Sequence, residues 1–209
     1  YLMTAMLTIL TGVQSEVSYN LALASIGALA AAGAFSLVFN AIHSQRSNLC
    51  NSLLHAALGP IFLLLLGNLE GLLEALRSLG LGSPDFWRWV GIKGLETPVL
   101  TRGLPPADVW WWWRGTRVID TVVEGVSRDY TITEFPFFSL YLGDLHPHVM
   151  SLPYALLSLG LSLNILKAKA PLGIGWLRER PWEVVVIALA LGSLGFLNSW
   201  DFPAYTAFF

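Results

Sequence analysis

The sequence predicts an all-α protein: a polytopic bundle of transmembrane helices with a long outer-face loop that carries interfacial helices. Three observations predict it. The 209 residues are 55% hydrophobic and only 12% charged, against roughly 25% charged in an average soluble domain. Mean hydropathy is +0.60. Residues 17–45, 47–69, 145–166 and 184–200 hold no Lys, Arg, Asp or Glu, and about 20 apolar residues cross a bilayer core.

From the N-terminus, residues 1–11 are apolar but make only about half of a ~20-residue span, which predicts an interfacial helix ended by Gly12. Spans are expected near 19–42, 53–67, 150–166 and 184–198. All belong to one transmembrane domain over 1–209, with 68–149 on the outer face. Basic residues set the orientation: Arg46 in the first short connection, and Lys167, Lys169, Arg178 and Arg180 in the connection 167–182. The positive-inside rule makes both connections cytoplasmic, and one threading satisfies both. Almost every unusual polar residue then falls on the outer face. A net charge of −2 gives no footing for nucleic acid. Cys50 has no partner for a disulfide and reads as a small buried residue at a helix start. His43 and His55 read as structural. The chain starts without Met, ends inside an apolar run and shows no signal-peptide pattern. These features point to an internal piece of a larger polytopic protein.

In the outer segment, Leu69, Leu72, Leu73, Leu76 and Leu79 recur at helical spacing, with Glu70, Glu74 and Arg77 on the other face. That pattern predicts an amphipathic helix at the interface, stopped by Gly80 and Gly82. Ser83 caps a new helix and Pro84 opens it. Pro105-Pro106 breaks the chain, and Asp108 can cap the next element. Trp110–Trp113 form either an aromatic belt at headgroup depth or a stacking platform, with Trp112 and Trp113 as substrate contacts. Arg114 and Arg117 share a face if helical. Two guanidiniums there suit a phosphate or pyrophosphate; lipid headgroups, or pairing with Asp120 and Glu124, are the alternative.

The most polar block comes next. Pro136 opens a short helix through Leu142, and Gly143 closes it. Glu134 just ahead is a candidate catalytic acid, or a charge favoured by the helix dipole. Beyond the helix lies Asp144-Leu145-His146-Pro147-His148. An extended chain would point Asp144, His146 and His148 the same way. Such a set suits a divalent metal (manganese, magnesium or zinc) or acid–base chemistry. A helix start at Pro147 would instead make His146 an N-cap and put His148 in the first turn. Asp201 is expected at the same face, as a second acid or a cap, flanked by Asn198 and Trp200 as substrate contacts.

The stretches "WWWRGTRVI", "ITEFPFFSLYLGDLHPHVMSLPY" and "GFLNSWDFPAY" resemble an uncharacterised family of bacterial and archaeal polytopic membrane proteins named for a Tyr-Tyr-Tyr motif. The resemblance covers essentially the whole chain. It matches Glu134, Asp144, His146, His148, Asn198 and Asp201 by motif. The family is similar to the GT-C glycosyltransferase superfamily, whose members take sugars from lipid-phosphate carriers. The resemblance therefore implies a GT-C-like fold in a prokaryotic cytoplasmic membrane, with a lipid-linked sugar as partner. The superfamily's acid on the first outer loop is missing from this chain, as is the tyrosine motif apart from Tyr1. Glu134, Asp144 and Asp201 remain as candidate acids. A transporter or channel, or a non-catalytic membrane assembly protein with the tryptophans as partner surface, are the competing expectations.

Overall fold

The computed structural model describes residues 2–43, 48–97, 99, 102–104, 106, 111–168 and 173–209. Expectations at Arg46, Pro105, Asp108, Trp110 and Lys169 lie outside the described residues. The chain divides into two compact units, 1–65 with 143–209, and 66–142. The second unit covers most of the segment expected on the outer face.

The first unit is helical. It contains α1 (Leu2–Thr11), α2 (Ser15–Ile42) and α3 (Leu49–Pro60), with α3 continued by wide π-helical turns over Ile61–Leu66. Gly12 ends α1 at φ +67°, as expected. Pro60 has no N–H to give the ladder and crowds the preceding turn, a known cause of such widening. In the second unit lie α4 (Glu70–Ser78), α5 (Pro84–Val90), α6 (Trp111–Arg114), a hairpin of β1 (Ile119–Val123) and β2 (Val126–Thr131), and α7 (Pro136–Leu142). The chain returns to the first unit with α8 (Pro147–Lys167), α9 (Ile174–Glu179), α10 (Pro181–Leu197) and α11 (Asp201–Thr206).

Among the described residues, three helices are long and apolar enough to cross a membrane: Ser15–Ile42, Leu49–Leu66 and Pro147–Lys167. The fourth expected span is shorter. The 17 residues of α10 make about 26 Å, against a hydrocarbon core of about 30 Å. Exposed tryptophans, Trp182 and Trp200, mark its two ends, as indoles at headgroup depth do.

Small residues make many of the helix contacts of this unit, beside the buried Val149 of α8 and Leu194 of α10. Ala30 and Ala34 of α2, Ser52 and Ala56 of α3, and Ser151, Ala155, Ser158 and Ser162 of α8 are buried. Lipid tails are as apolar as leucine, so helices gain little by hiding leucine from them; small side chains let backbones approach and dispersion do the rest. Gly59 shows how close the approach is. A Cβ there would sit 2.8 Å from the carbonyl oxygen of Ala34. Helices α2 and α8 run parallel. At one end, the Tyr19 hydroxyl donates to the Gly143 carbonyl (2.8 Å) and accepts from the Leu145 N–H (3.2 Å). At the other, Lys167 Nζ donates to the carbonyl of Asn40. Near that second end, His43 stacks on Phe39 with its Nδ1 3.2 Å from Ser52 Oγ, and His55 Nδ1 lies 2.7 Å from the Asn51 carbonyl. Cys50 stands at a helix start, where Asn48 caps its N–H, but it is exposed, not buried. Leu49, Cys50 and Asn51 open α3 on its exposed side, while Ser52, Ala56 and Gly59 lie toward the interior.

The second unit inverts the expectation for α4. Helix and boundaries agree, since Gly80 follows its end at φ +74°. The polar face, however, is the inner one. Glu70 is 3% exposed and Glu74 1%, whereas Leu69 is 76% and Leu72 58% exposed. Leu73 and Leu76 flank the glutamates and pack on Trp87, Ile92 and Leu95. Arg77 ties this core together: Nε donates to the Leu95 carbonyl (3.0 Å) and Nη2 to the Thr97 carbonyl (2.8 Å). Helix α5 starts as expected, with the Phe86 N–H donating to Ser83 Oγ (3.1 Å). The hairpin is an addition to the all-helical expectation. Glu124 (φ 52°) and Gly125 (φ 76°) form its two-residue turn, the type whose twist matches paired strands. Between Thr121 and Val122 the register shifts by a bulge.

Candidate functional site

Two separate polar constellations emerge, one in each unit. In the first unit, Gly143 leaves the preceding helix at φ +74°, and the chain stays extended until Pro147. His146 is the N-cap of α8 (φ −65°, ψ 151°), with Pro147 at the first helical position and no side-chain capping bond. The residue before a proline is driven out of the helical region. The extended stretch therefore stops at His146, and His148 joins the first helical turn. The Asp144 carboxylate, Oδ2, lies 3.1 Å from His146 Nδ1. The His146 and His148 rings are 5.7 Å apart. Thus Asp144 and His146 converge, while the helix start turns His148 away from the alternating pattern. Among the described residues, no three His, Cys, Asp or Glu side chains come together as a metal ion would require.

Asp201 joins this end of the bundle. It opens α11, where its N–H donates to the Asn198 carbonyl (2.9 Å). Its Oδ2 lies 2.6 Å from Ser151 Oγ, which also reaches the His148 carbonyl at 3.0 Å. Ser151 thus links the first turn of α8 to an acid 50 residues later. Tyr205 follows one turn on. Burial, and then the Asp201 charge, hold its phenol above the ordinary range. Asn198 ends α10, and Trp200 projects outward beside Asp201. Sequence reasoning singled out Asp201 and missed Ser151, Tyr19 and Tyr205. A serine three residues after His148 on a helix was the available signal for Ser151.

The second constellation surrounds α4. Glu74 accepts from Arg114 Nε, and Arg77 Nη1 stands 3.9 Å from its other oxygen. Glu70 lies one turn before Glu74 on the same buried face, and among the described residues its Oε1 is buried without a hydrogen-bond partner. Gly115 makes room for it: a Cβ there would be 3.2 Å from Glu70 Oε2 and 3.2 Å from Phe135. Asn68 fixes both sides, donating to the Gly115 carbonyl (2.6 Å) and accepting from the Glu70 N–H (2.9 Å). Burial, then the hydrogen bond and charge of Glu74, push the Glu70 carboxyl up to about 8, against a smaller lowering by Arg114. Glu70 therefore holds its proton well into the neutral range. Sequence reasoning read both glutamates as a solvated face. The contrary signal was a like-charged pair at i,i+4, which costs energy on an isolated helix.

The arginines part company. Helix α6 ends at Arg114, so Arg117 does not share a helical face with it. Arg114 faces Glu74, neither Asp120 nor Glu124. Arg117 lies 3.6 Å above the Trp113 ring and donates to Thr116 Oγ1 at 2.5 Å. Trp112 packs on Phe138 and Tyr141 (5.5 Å each), and Trp113 on Phe138 (5.7 Å). Trp112 and Trp113 thus share an aromatic cluster with Phe138 and Tyr141, in which Phe138 is buried and Trp113 and Tyr141 keep an exposed edge. Glu134 precedes α7 and accepts from Ser139 Oγ (3.0 Å). It belongs to the second unit, while Asp144 and Asp201 belong to the first.

The chain belongs to the uncharacterised membrane protein family DUF2298, whose model matches residues 1–209. No curated protein and no solved structure matches it.

Proposed function

We propose that this member of an uncharacterised membrane protein family is a glycosyltransferase-like enzyme, passing a sugar from a lipid-phosphate carrier to an acceptor hydroxyl. The observation that carries the reading is the meeting of Asp144, His146, Ser151 and Asp201 at the end of the bundle remote from Lys167. The positive-inside rule assigns the Lys167 end to the cytoplasm. The acid–histidine end then faces outward from a prokaryotic cytoplasmic membrane.

In such a transfer the acceptor oxygen attacks the sugar carbon, the bond to the carrier phosphate breaks, and the hydroxyl proton must leave. A carboxylate beside an imidazole orients the ring and steadies its protonated form. That supports His146 as the base and Asp144 as its partner. Asp201, held by Ser151, is the second acid, with Asn198 and Trp200 as bordering substrate contacts. Taken by itself, the second unit offers Arg117, stacked on Trp113, as a phosphate-binding group, since Arg114 already answers Glu74. Glu134, with Ser139, is a candidate acid of that unit.

The test is Asp144→Asn and His146→Gln in the full-length protein, read as lipid-linked sugar turnover and surface glycans. A lost general base costs about 10²–10⁴-fold. Normal glycans in both variants would overturn the reading. A transporter is the second reading, favoured by the buried carboxyls Glu70 and Glu74. Proton-coupled uptake lost in Glu70→Gln, with glycans intact, would favour it.

A further inference from the structure

Between the parallel helices α2 and α8 runs a groove of about 750 Å³. Leu29 and Leu37 line it from one helix, Leu157 and Leu161 from the other, and it ends at Asn40, Asn164 and Lys167. The helices touch where Gly33 meets Leu156, a Cβ on the glycine falling 3.1 Å from that of the leucine. At Gly160 the groove is open: a Cβ there would meet nothing within 4 Å.

Three features identify an occupant. The first is length. Pro153 and Lys167 both line the groove, and the helix rises about 21 Å between them. One leaflet with its headgroup layer is half of about 40–45 Å. The second is charge. Lys167 is the one charged side chain among the described lining residues, and it sits at the end where the groove stops. The third is donor capacity. An ammonium has three N–H groups, and the Asn40 carbonyl takes one. Among the described residues no partner takes the other two, which can reach an anion.

We propose that this groove is a binding site for an anionic phospholipid of the leaflet at the Lys167 end. One acyl chain lies between α2 and α8, and the phosphate is held by Lys167 beside Asn40 and Asn164. The site is at the opposite end of the bundle from Asp144 and Asp201 and does not depend on the transferase reading.

The test uses the full-length protein in phosphatidylcholine nanodiscs, with spin-labelled phosphatidylglycerol or phosphatidylcholine as probe. The immobilised fraction of each label is the readout. A single lysine–anionic lipid contact predicts about a fivefold preference for phosphatidylglycerol. Lys167→Gln should bring that preference to about one. Gly160→Leu should release the immobilised chain for both labels, and Ser36→Leu fills the same groove from α2 if the first variant does not fold. Equal immobilisation of both lipids in the unmodified protein would overturn the proposal, as would a preference that survives Lys167→Gln. So would the lack of any immobilised lipid, the result expected if another helix fills the groove.

Discussion

The two units treat charge in opposite ways. In the first, alanines and serines, with Leu145, Val149 and Leu194, form the interior and ionisable groups gather at the ends, where Asp144, His146, Asp201 and Lys167 stay partly or fully exposed. In the second, Glu70 and Glu74 share the interior with Trp87, Ile92 and Leu95, and Leu72 of the same helix faces out. The first unit avoids the cost of a buried charge. The second accepts it and offsets it with Arg114. A buried pair of this kind is weak evidence for stability but a strict constraint on partners, because removing either leaves the other uncompensated. The second unit should therefore break at single charged residues, and the first at changes of size.

The largest effect is expected at Arg114. Arg114→Met leaves buried Glu74 with only the longer contact to Arg77, 3.9 Å away, and breaking a buried pair costs up to about 3–5 kcal/mol. Thermal unfolding followed by the fluorescence of buried Trp87 is the measurement; an unchanged midpoint would erase the contrast. Glu70→Gln should act in the other direction, by up to about 4 kcal/mol at pH 8. The Glu70 carboxyl stands at about 8 when folded and 4.5 as the reference. Between those values the folded state binds more protons, so stability falls as pH rises from about 4.5 to about 8 and levels off above. The glutamine variant should lack that slope in pH-resolved denaturation.

In the first unit, Gly59→Val pushes a side chain onto the Ala34 carbonyl. Such overpacking costs about 1–3 kcal/mol and should appear as weakened protection of α2 and α3 in hydrogen exchange. An exchange pattern like the parent's would mean the helices part without cost. The smallest effect is expected in the hairpin. Gly125→Ala strains a turn residue at φ 76°, worth about 1 kcal/mol locally. Amides of the hairpin should exchange faster with no change in the unfolding midpoint.

What could be read from the sequence was what neighbours in the chain decide. Ser83 and Pro84 start a helix, Pro136 and Gly143 bracket another, and Gly12 ends α1, because caps and prolines act over one turn. Local rules left the acid–histidine block with two outcomes, and Pro147 chose the helical one. The face of α4 was not legible in this way. Periodicity finds two faces but does not say which is inside when the surroundings are themselves apolar. The hairpin left a signal in Val-Val-Glu-Gly-Val, a two-residue turn between β-branched residues. Flanking segments that read as helical mask it. Contacts such as Ser151 with Asp201, 50 residues apart, have no local signature at all.

The serines of α8 have a consequence for how the protein is made. Ser158 donates back to the Tyr154 carbonyl and Ser162 to that of Ser158, within their own helix. Their hydroxyls need no neighbour. A ribosome can thus hand α8 to the membrane as a self-sufficient rod, before the residues of α10 have been synthesised. Ser151 differs, since its hydroxyl also reaches across to Asp201. That bond can close only after translation has passed residue 201, so the acid–histidine end is the last part of this helix to be finished.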